Sequence, residues 1–418
     1  MAKSVASSDR DPKPPAPAEQ GAVAELQGVY GPFGFPEKLL QRLWLNREFD
    51  ERGARLQDGR TLDVLHPGRW NHLGGPDFQN ARLRIEGQSV HGDVEVHLHE
   101  KDWDAHGHAI DPAYDGVALH VVLFPTDRTA TKGVGGATIP ILVLLPRLWH
   151  DLEAYAADEA IAALANQPTR RLFAELSVRP EPELNELVRT HAARRWDQKV
   201  RHAVRRIEKL GWAGACHHAA LEVLGYRFNR APMLRVAGAL EAEGWRTATD
   251  AWLEEAWRLG EPWSLHGVRP ANAPRHRLTQ FATWNRVRPD WIAALENWAA
   301  ELAAIEWAPG EGIAAARRVT KLSRRRANWC DGITGGVLSG GRFDHLIGDG
   351  LLPLAVASSR LSTEQGWAWW WMGYPGDLPD AVQQGLRDLG LGGVRGQPLA
   401  TGPAQGLLDW MWTRDEGR

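Results

Sequence analysis

The feature that most limits the fold of this chain is a change of period. Between residues 61 and 144, branched apolar residues fall in five short runs, TLDVL, ARLRIEG, SVHGDVEVHLH, VALHVVLF and TIPILVL, each bounded by Gly, Pro, Asn or Asp. Runs of that length and punctuation read as strands. After about Leu148 the pattern turns helical, in LEAYAADEAIAALA, PELNELVRTHAARRWDQKVRHAVRRIEKL, APMLRVAGALEAEG, WIAALENWAAELAAIEW and the segment around AVQQGLRDLG. The expected organisation is an α/β (α+β) domain over 29–150 and a mainly α-helical domain over 151–418.

Ahead of the strands, Pro36 suits a helix N-terminus. Leu39, Leu40, Leu43 and Trp44 recur at helical spacing, so an amphipathic helix is expected to about Phe49. Glu37 sits in its first turn, where the helix dipole favours a carboxylate. Residues 1–28 are rich in Pro, Ala, Ser and Asp without periodicity, and are expected to form a disordered tail.

A net charge of -3 gives no global attraction to a polyanion, so any such contact must be local. Cys216 and Cys330 are the only cysteines, which excludes a disulfide framework and a CxxC knuckle. The N-terminus lacks an apolar signal stretch, and the run IPILVLL is too short to cross a bilayer. A cytoplasmic protein with no membrane partner is expected.

Half of the 16 histidines, at positions 66, 72, 91, 97, 99, 106, 108 and 120, fall within 55 residues, beside Asp77, Glu95, Asp102, Asp104, Asp111 and Asp115. In DVEVHLH the alternation puts Val94, Val96 and Leu98 on one face and Glu95, His97 and His99 on the other. Lys101 joins the second face if the strand continues. Asp77 follows Gly-Gly-Pro, a turn able to aim one carboxylate inward, and Glu95 lies 18 residues on, beyond a hairpin near Gly87. Two carboxylates on adjacent strands repel unless a cation lies between them, so they should converge on an ion.

The order of a helix with Glu37, then Pro76-Asp77, then Glu95-Val96-His97 resembles the PD-(D/E)xK phosphodiesterase superfamily. That resemblance implies a restriction-endonuclease-like core with a central mixed sheet, in which Asp77 and Glu95 hold Mg²⁺ or Mn²⁺ and Glu37 assists. It also implies that His97, or a displaced Lys101, orients or deprotonates the attacking water. His97 stands where the superfamily has lysine. The longer string GGPDFQNARLRIEG, followed by GDVEVHLHEKDWDAHGHAIDPAYDGVALHVVLF, resembles the bacterial family known as domain of unknown function 2851. RPANAPRHRL and AQGLLD are further matches to that family.

A competing site takes Zn²⁺ on His97, His106, His108 or His120 with Asp77. Each residue also has a plainer role. Asp77 could cap a turn, His97 and His99 could face solvent, His120 could be a hydrogen-bonded core histidine, and Trp103 and Tyr114 could be core. Arg317, Arg318, Lys321, Arg324, Arg325 and Arg326 form a basic stretch with no interleaved acid, and are expected to contact nucleic acid. Arg194, Arg195, Lys199, Arg201, Arg205, Arg206 and Lys209 read equally well as a solvated helix face. The expected function is a metal-dependent phosphodiesterase or nuclease. The alternatives are an inactive nucleic-acid- or protein-binding member of the same scaffold, and a zinc-dependent small-molecule hydrolase.

Overall fold

A helix α1, Glu37–Leu45, is the first described element of the computed structural model, which describes residues 37–71, 74–149, 173–225, 229–265, 268, 270–305, 312–378 and 380–414. The expected disordered tail, Pro36, His72, the expected helix at 152–165, the boundary at 150 and Arg269 lie outside those residues. α1 buries Leu39, Leu40, Leu43 and Trp44, the stripe its spacing implies. Trp44 donates its indole N–H to the Pro67 carbonyl at 2.9 Å, and its ring stacks on Phe49 at 5.8 Å.

Seven strands follow: β1 Leu62–His66, β2 Arg69–Trp70, β3 Phe78–Ile85, β4 Gln88–His97, β5 Val117–Val122, β6 Ala130–Lys132 and β7 Thr138–Val143. They form one sheet in the order β1-β3-β4-β5-β7-β6, with β2 paired to β3. β1, β3 and β4 are antiparallel, β4, β5 and β7 run parallel, and β6 closes antiparallel on β7. The sheet is therefore mixed, as expected.

The β3–β4 hairpin turns on two residues, Glu86 and Gly87, with φ of 47° and 79°. Positive φ at both centres is what a tight turn matched to the strand twist requires. Farther along, Phe78 faces Val94 while Ala81 faces Gly92, so β3 carries one residue more than β4. The extra residue is Asn80, at φ 58°, whose amide donates to Asp93 Oδ1 at 2.9 Å. This bulge keeps Phe78, Ala81, Leu83 and Ile85 on the buried side. It thereby leaves Asp77, Gln79, Arg82 and Arg84 on the opposite side, level with Glu95 and His97 of β4.

β4 changes character along its length. Its first residues are exposed or half-buried, but Val94, Glu95, Val96 and His97 are all buried. The half-exposed sheet expected from the alternation holds for the β3–β4 arm and fails where β4 meets β5. Sheets with parallel strands are covered on both faces. The cover on the Glu95 side comes from the crossover between β4 and β5, made by helix α2, Asp102–Ala105, and the 3-10 turn Pro112–Tyr114. Trp103 and Tyr114 from this crossover are buried with Val117 and Ile139.

The rest of the chain is helical. Helix α3, Glu181–Gly225, is kinked at Gly211 and runs through a core that takes in Trp196, Trp245, Trp284, Trp291, Trp298, Trp329, Trp369 and Trp370. The frequent tryptophan of the sequence is thus mostly core. Helices cover 230–239, 291–303 and 380–388, close to three of the expected segments. The helix expected to reach 244 stops at Ala239, and Ala242–Thr247 is 3-10. Gly244 there lies so close under Trp252 that a Cβ would meet the ring at 2.1 Å. The segment after α1 meets the helical part where Asp50 accepts from Lys209 Nζ at 3.1 Å and where Arg235 donates to the Arg47 carbonyl at 3.2 Å. Among the described residues no helix is long and apolar enough to cross a membrane.

Candidate metal centre

Asp77 and Glu95 are cross-braced. The Asp77 amide donates to Glu95 Oε2 at 2.9 Å, and the Val96 amide donates to Asp77 Oδ2 at 3.2 Å. Each acid therefore sits on the backbone of the other's strand, and the two carboxylates are neighbours. Asp77 Oδ1 also accepts from Gln41 Nε2 at 2.7 Å. Burial, with the charge of Glu95 adding to it, pushes the Asp77 carboxyl up to about 7 despite these hydrogen bonds. Glu37, one turn before Gln41 on α1, is raised by burial and by Glu95, against the opposing pull of His106.

The remaining oxygen, Glu95 Oε1, meets two imidazoles: His108 Nε2 at 3.3 Å and His97 Nε2 at 3.5 Å. His97 Nε2 also lies 3.2 Å from His106 Nδ1. Ligand atoms of His97, His106 and His108 all fall within 4.8 Å of one another. A tetrahedral ion with bonds of about 2.0–2.1 Å would set its donors about 3.3–3.4 Å apart. Three contacts of this set, at 3.2 to 3.5 Å, match that edge length, and the three imidazoles could hold a metal ion together.

The local sequence explains the convergence. His97 is the last residue of β4, and α2 turns the chain back at once. Gly107, at φ 75°, lets the chain reverse between His106 and His108 so that both rings face the sheet. The His108 ring stacks on Tyr114 at 3.8 Å and meets the Trp103 edge at 5.3 Å. Burial, reinforced by Glu95, raises the Tyr114 hydroxyl to about 12, so it stays protonated at neutral pH. His106 is exposed and forms the open side of the cluster.

Behind these donors stands a relay. His97 Nδ1 lies 3.0 Å from His120 Nε2, and His120 Nδ1 lies 2.7 Å from Thr131 Oγ1. His120 is fully buried between β4 and β7. It is the hydrogen-bonded core histidine of the plainer expectation, and it backs His97 rather than joining the donors. Burial, with neighbouring imidazoles adding to it, lowers His97 to about 3 and His120 to about 2. Both rings are neutral near pH 7, the form that ligates metal.

Other expected residues lie apart from this cluster. β4 ends at His97, so Lys101 does not continue its face; it is exposed at the start of α2. His99 stacks on Phe124 at 4.8 Å, and its amide donates to Asp102. In the basic stretch, Arg317 donates to the carbonyls of Met372, Gly373 and Leu399, Arg325 pairs with Glu301, and Arg326 pairs with Asp344. Arg318, Lys321 and Arg324 are exposed. Gln41 was missed although it lies one helical turn from Glu37, a spacing that places both on one face. Thr131 carried no signal, because β6 is three residues long and pairs only at the sheet edge.

Residues 37–261 match the family described as Protein of unknown function (DUF2851), which spans more than half of the chain. Comparison with curated proteins and with solved structures returned no match.

Proposed function

We propose, from the premise that this chain belongs to the DUF2851 family, that it is a metal-dependent phosphodiesterase acting on nucleic acid. The spacing of Glu95 Oε1, His97 Nε2, His106 Nδ1 and His108 Nε2 carries the proposal. A set of three imidazoles and one carboxylate suits zinc and related transition ions better than Mg²⁺, which prefers oxygen donors. With a fifth position taken up on the exposed His106 side, the ion would polarise a phosphoryl oxygen or lower the pKa of a water.

The protein's own groups then divide the work. Glu95, His97, His106 and His108 would hold the ion. Asp77, whose amide is bonded to Glu95 and whose carboxylate is its neighbour, is the group placed to take the proton of the attacking water. A water oxygen bonds to phosphorus, one ester P–O bond breaks, and the departing oxygen takes its proton from solvent on the open His106 side. Glu37 adds negative charge at the margin. His97 replaces the superfamily lysine as a ligand rather than as a base. The order of Glu37 on a helix, Asp77, and Glu95 with His97 on adjacent strands of a mixed sheet supports the restriction-endonuclease-like reading, which is an analogy of fold and order.

The test is metal content and cleavage by the purified full chain. One equivalent of zinc or another first-row ion, and cleavage of labelled DNA or RNA that disappears in Asp77→Ala and Glu95→Gln, is expected. No bound metal together with no cleavage in Zn²⁺, Mn²⁺ or Mg²⁺ would overturn it.

A further inference from the structure

We propose that the solvent-facing side of the β1–β3–β4 arm is a track for the phosphate backbone of a nucleic-acid strand, leading to the metal centre. The direction of the track rests on the hydrolase reading above. The basic surface itself does not.

The track follows from the bulge at Asn80. Because that residue absorbs the mismatch, Arg82 and Arg84 of β3 and Ser89 and His91 of β4 point to the same side of the sheet as Asp77, Glu95 and His97. All four are exposed, while their strand neighbours Ala81, Leu83 and Ile85 are core. Across the strands, Arg82 faces His66 on β1 and His91 on β4. Arg69 of β2 lies opposite Gln79 and donates to it at 3.4 Å. The arm thus offers three guanidinium groups and two imidazoles on one continuous face.

Acids on the same face do not neutralise it. Asp93 is engaged with the Asn80 amide at 2.9 Å, and Asp63 meets Arg84 at 3.6 Å in a pair whose side chains are both about half exposed or more. Such an exposed pair contributes little and yields to a phosphate. Arg82 has no acidic partner among the described residues, and the residues opposite it on both neighbouring strands are histidines, which offer it no carboxylate. An external anion explains it, and guanidinium geometry matches phosphate oxygens.

Spacing fits the same ligand. Arg82 is five positions from Asp77, about 13–17 Å at roughly 3.3 Å per residue. That covers about four or five nucleotides at roughly 3.4 Å each. The arginine stretch of the helical part is a poorer platform, since Arg317, Arg325 and Arg326 are engaged within the fold.

The test is anisotropy of fluorescein-labelled single- and double-stranded oligonucleotides with the full chain in EDTA, across a salt series. Expected is salt-dependent binding that weakens at least tenfold, with a shallower salt slope, in the Arg82→Glu/Arg84→Glu double variant. Arg82→Gln/Arg84→Gln, which keeps polar strand residues, should fall between, and circular dichroism checks that both variants fold. Unchanged binding in the folded double variants overturns the track. So does loss of binding on Arg318→Glu/Arg324→Glu instead, or preference for anionic vesicles or polyglutamate. Binding without cleavage keeps the track and removes the hydrolase reading. Metal-dependent turnover of bis(4-nitrophenyl) phosphate with no oligonucleotide binding does the reverse.

Discussion

His97 Nδ1 lies 3.0 Å from His120 Nε2, so one of these two buried rings must donate to the other. Thr131 Oγ1, 2.7 Å from the far side of His120, can accept or donate by rotating its hydroxyl. Two proton arrangements are therefore self-consistent. In one, His97 Nδ1–H donates to His120, His120 donates to Thr131, and His97 Nε2 presents a bare lone pair towards Glu95 and His106. In the other, Thr131 donates and His97 Nε2–H points at the carboxylate. A metal ion bound at His97 Nε2 would select the first arrangement.

His120→Phe should therefore weaken metal binding about 10–100-fold while the ligands remain in place. Competition with a chromophoric chelator measures it. An affinity equal to wild type would show that the His120–Thr131 relay does not support His97.

Chelation should lower the melting temperature, and one equivalent of Zn²⁺ should restore it, because the ion binds the folded donor set and not the unfolded chain. Glu95→Gln and His108→Ala should each lose most of the zinc-dependent shift. A melting temperature indifferent to chelator would remove the metal centre.

In metal-free protein the raised Asp77 makes stability fall as pH rises. The folded chain holds a proton to about pH 7 that the unfolded chain releases near 4, so stability is lost progressively across that window. Asp77→Asn should gain on wild type between pH 4.5 and 8 in urea midpoints taken in EDTA. An equal offset at both pH values would place the Asp77 proton elsewhere.

His97 and His120 act in the opposite direction. Their folded values of about 3 and 2 lie below the unfolded value near 6.5, so stability is full above 6.5 and is lost as pH falls. Each ring costs up to roughly tenfold in the folding constant per pH unit below 6.5. His120→Asn should flatten the acid limb of the stability curve, and an unchanged slope would contradict the neutral buried ring.

Arg317 carries a structural expectation. Its guanidinium meets three carbonyls and lies 4.3 Å over the Tyr374 ring. Arg317→Ala should cost about 2–4 kcal/mol, since buried acceptors are left unpaired. Chemical denaturation measures that loss. A neutral substitution would return this residue to the surface basic set.

Much of the architecture was legible because period is a local property. The α1 stripe, five of the seven strands and the turn near Gly87 follow from spacing and turn chemistry that neighbouring residues specify by themselves. β2 and β6 escaped, being two and three residues long and defined by their partners. The histidine cluster was visible as composition, but its internal roles were not. Lys101 matched His97 by parity alone, and the strand ended before parity could apply.

From the sequence alone come the mixed α and β organisation, the placement of Glu95 and His97 on one strand face, and the concentration of titratable groups in one crossover. Only the tertiary structure separated the histidines that converge from the one that stands behind them. It put His108 against Glu95 and His106 against His97 and withdrew His120 behind His97, because that choice depends on parallel pairing of β4 with β5 across the crossover. Sheet register is a long-range property. No local pattern encodes which of two histidines on neighbouring strands will face the carboxylate and which will stand behind it.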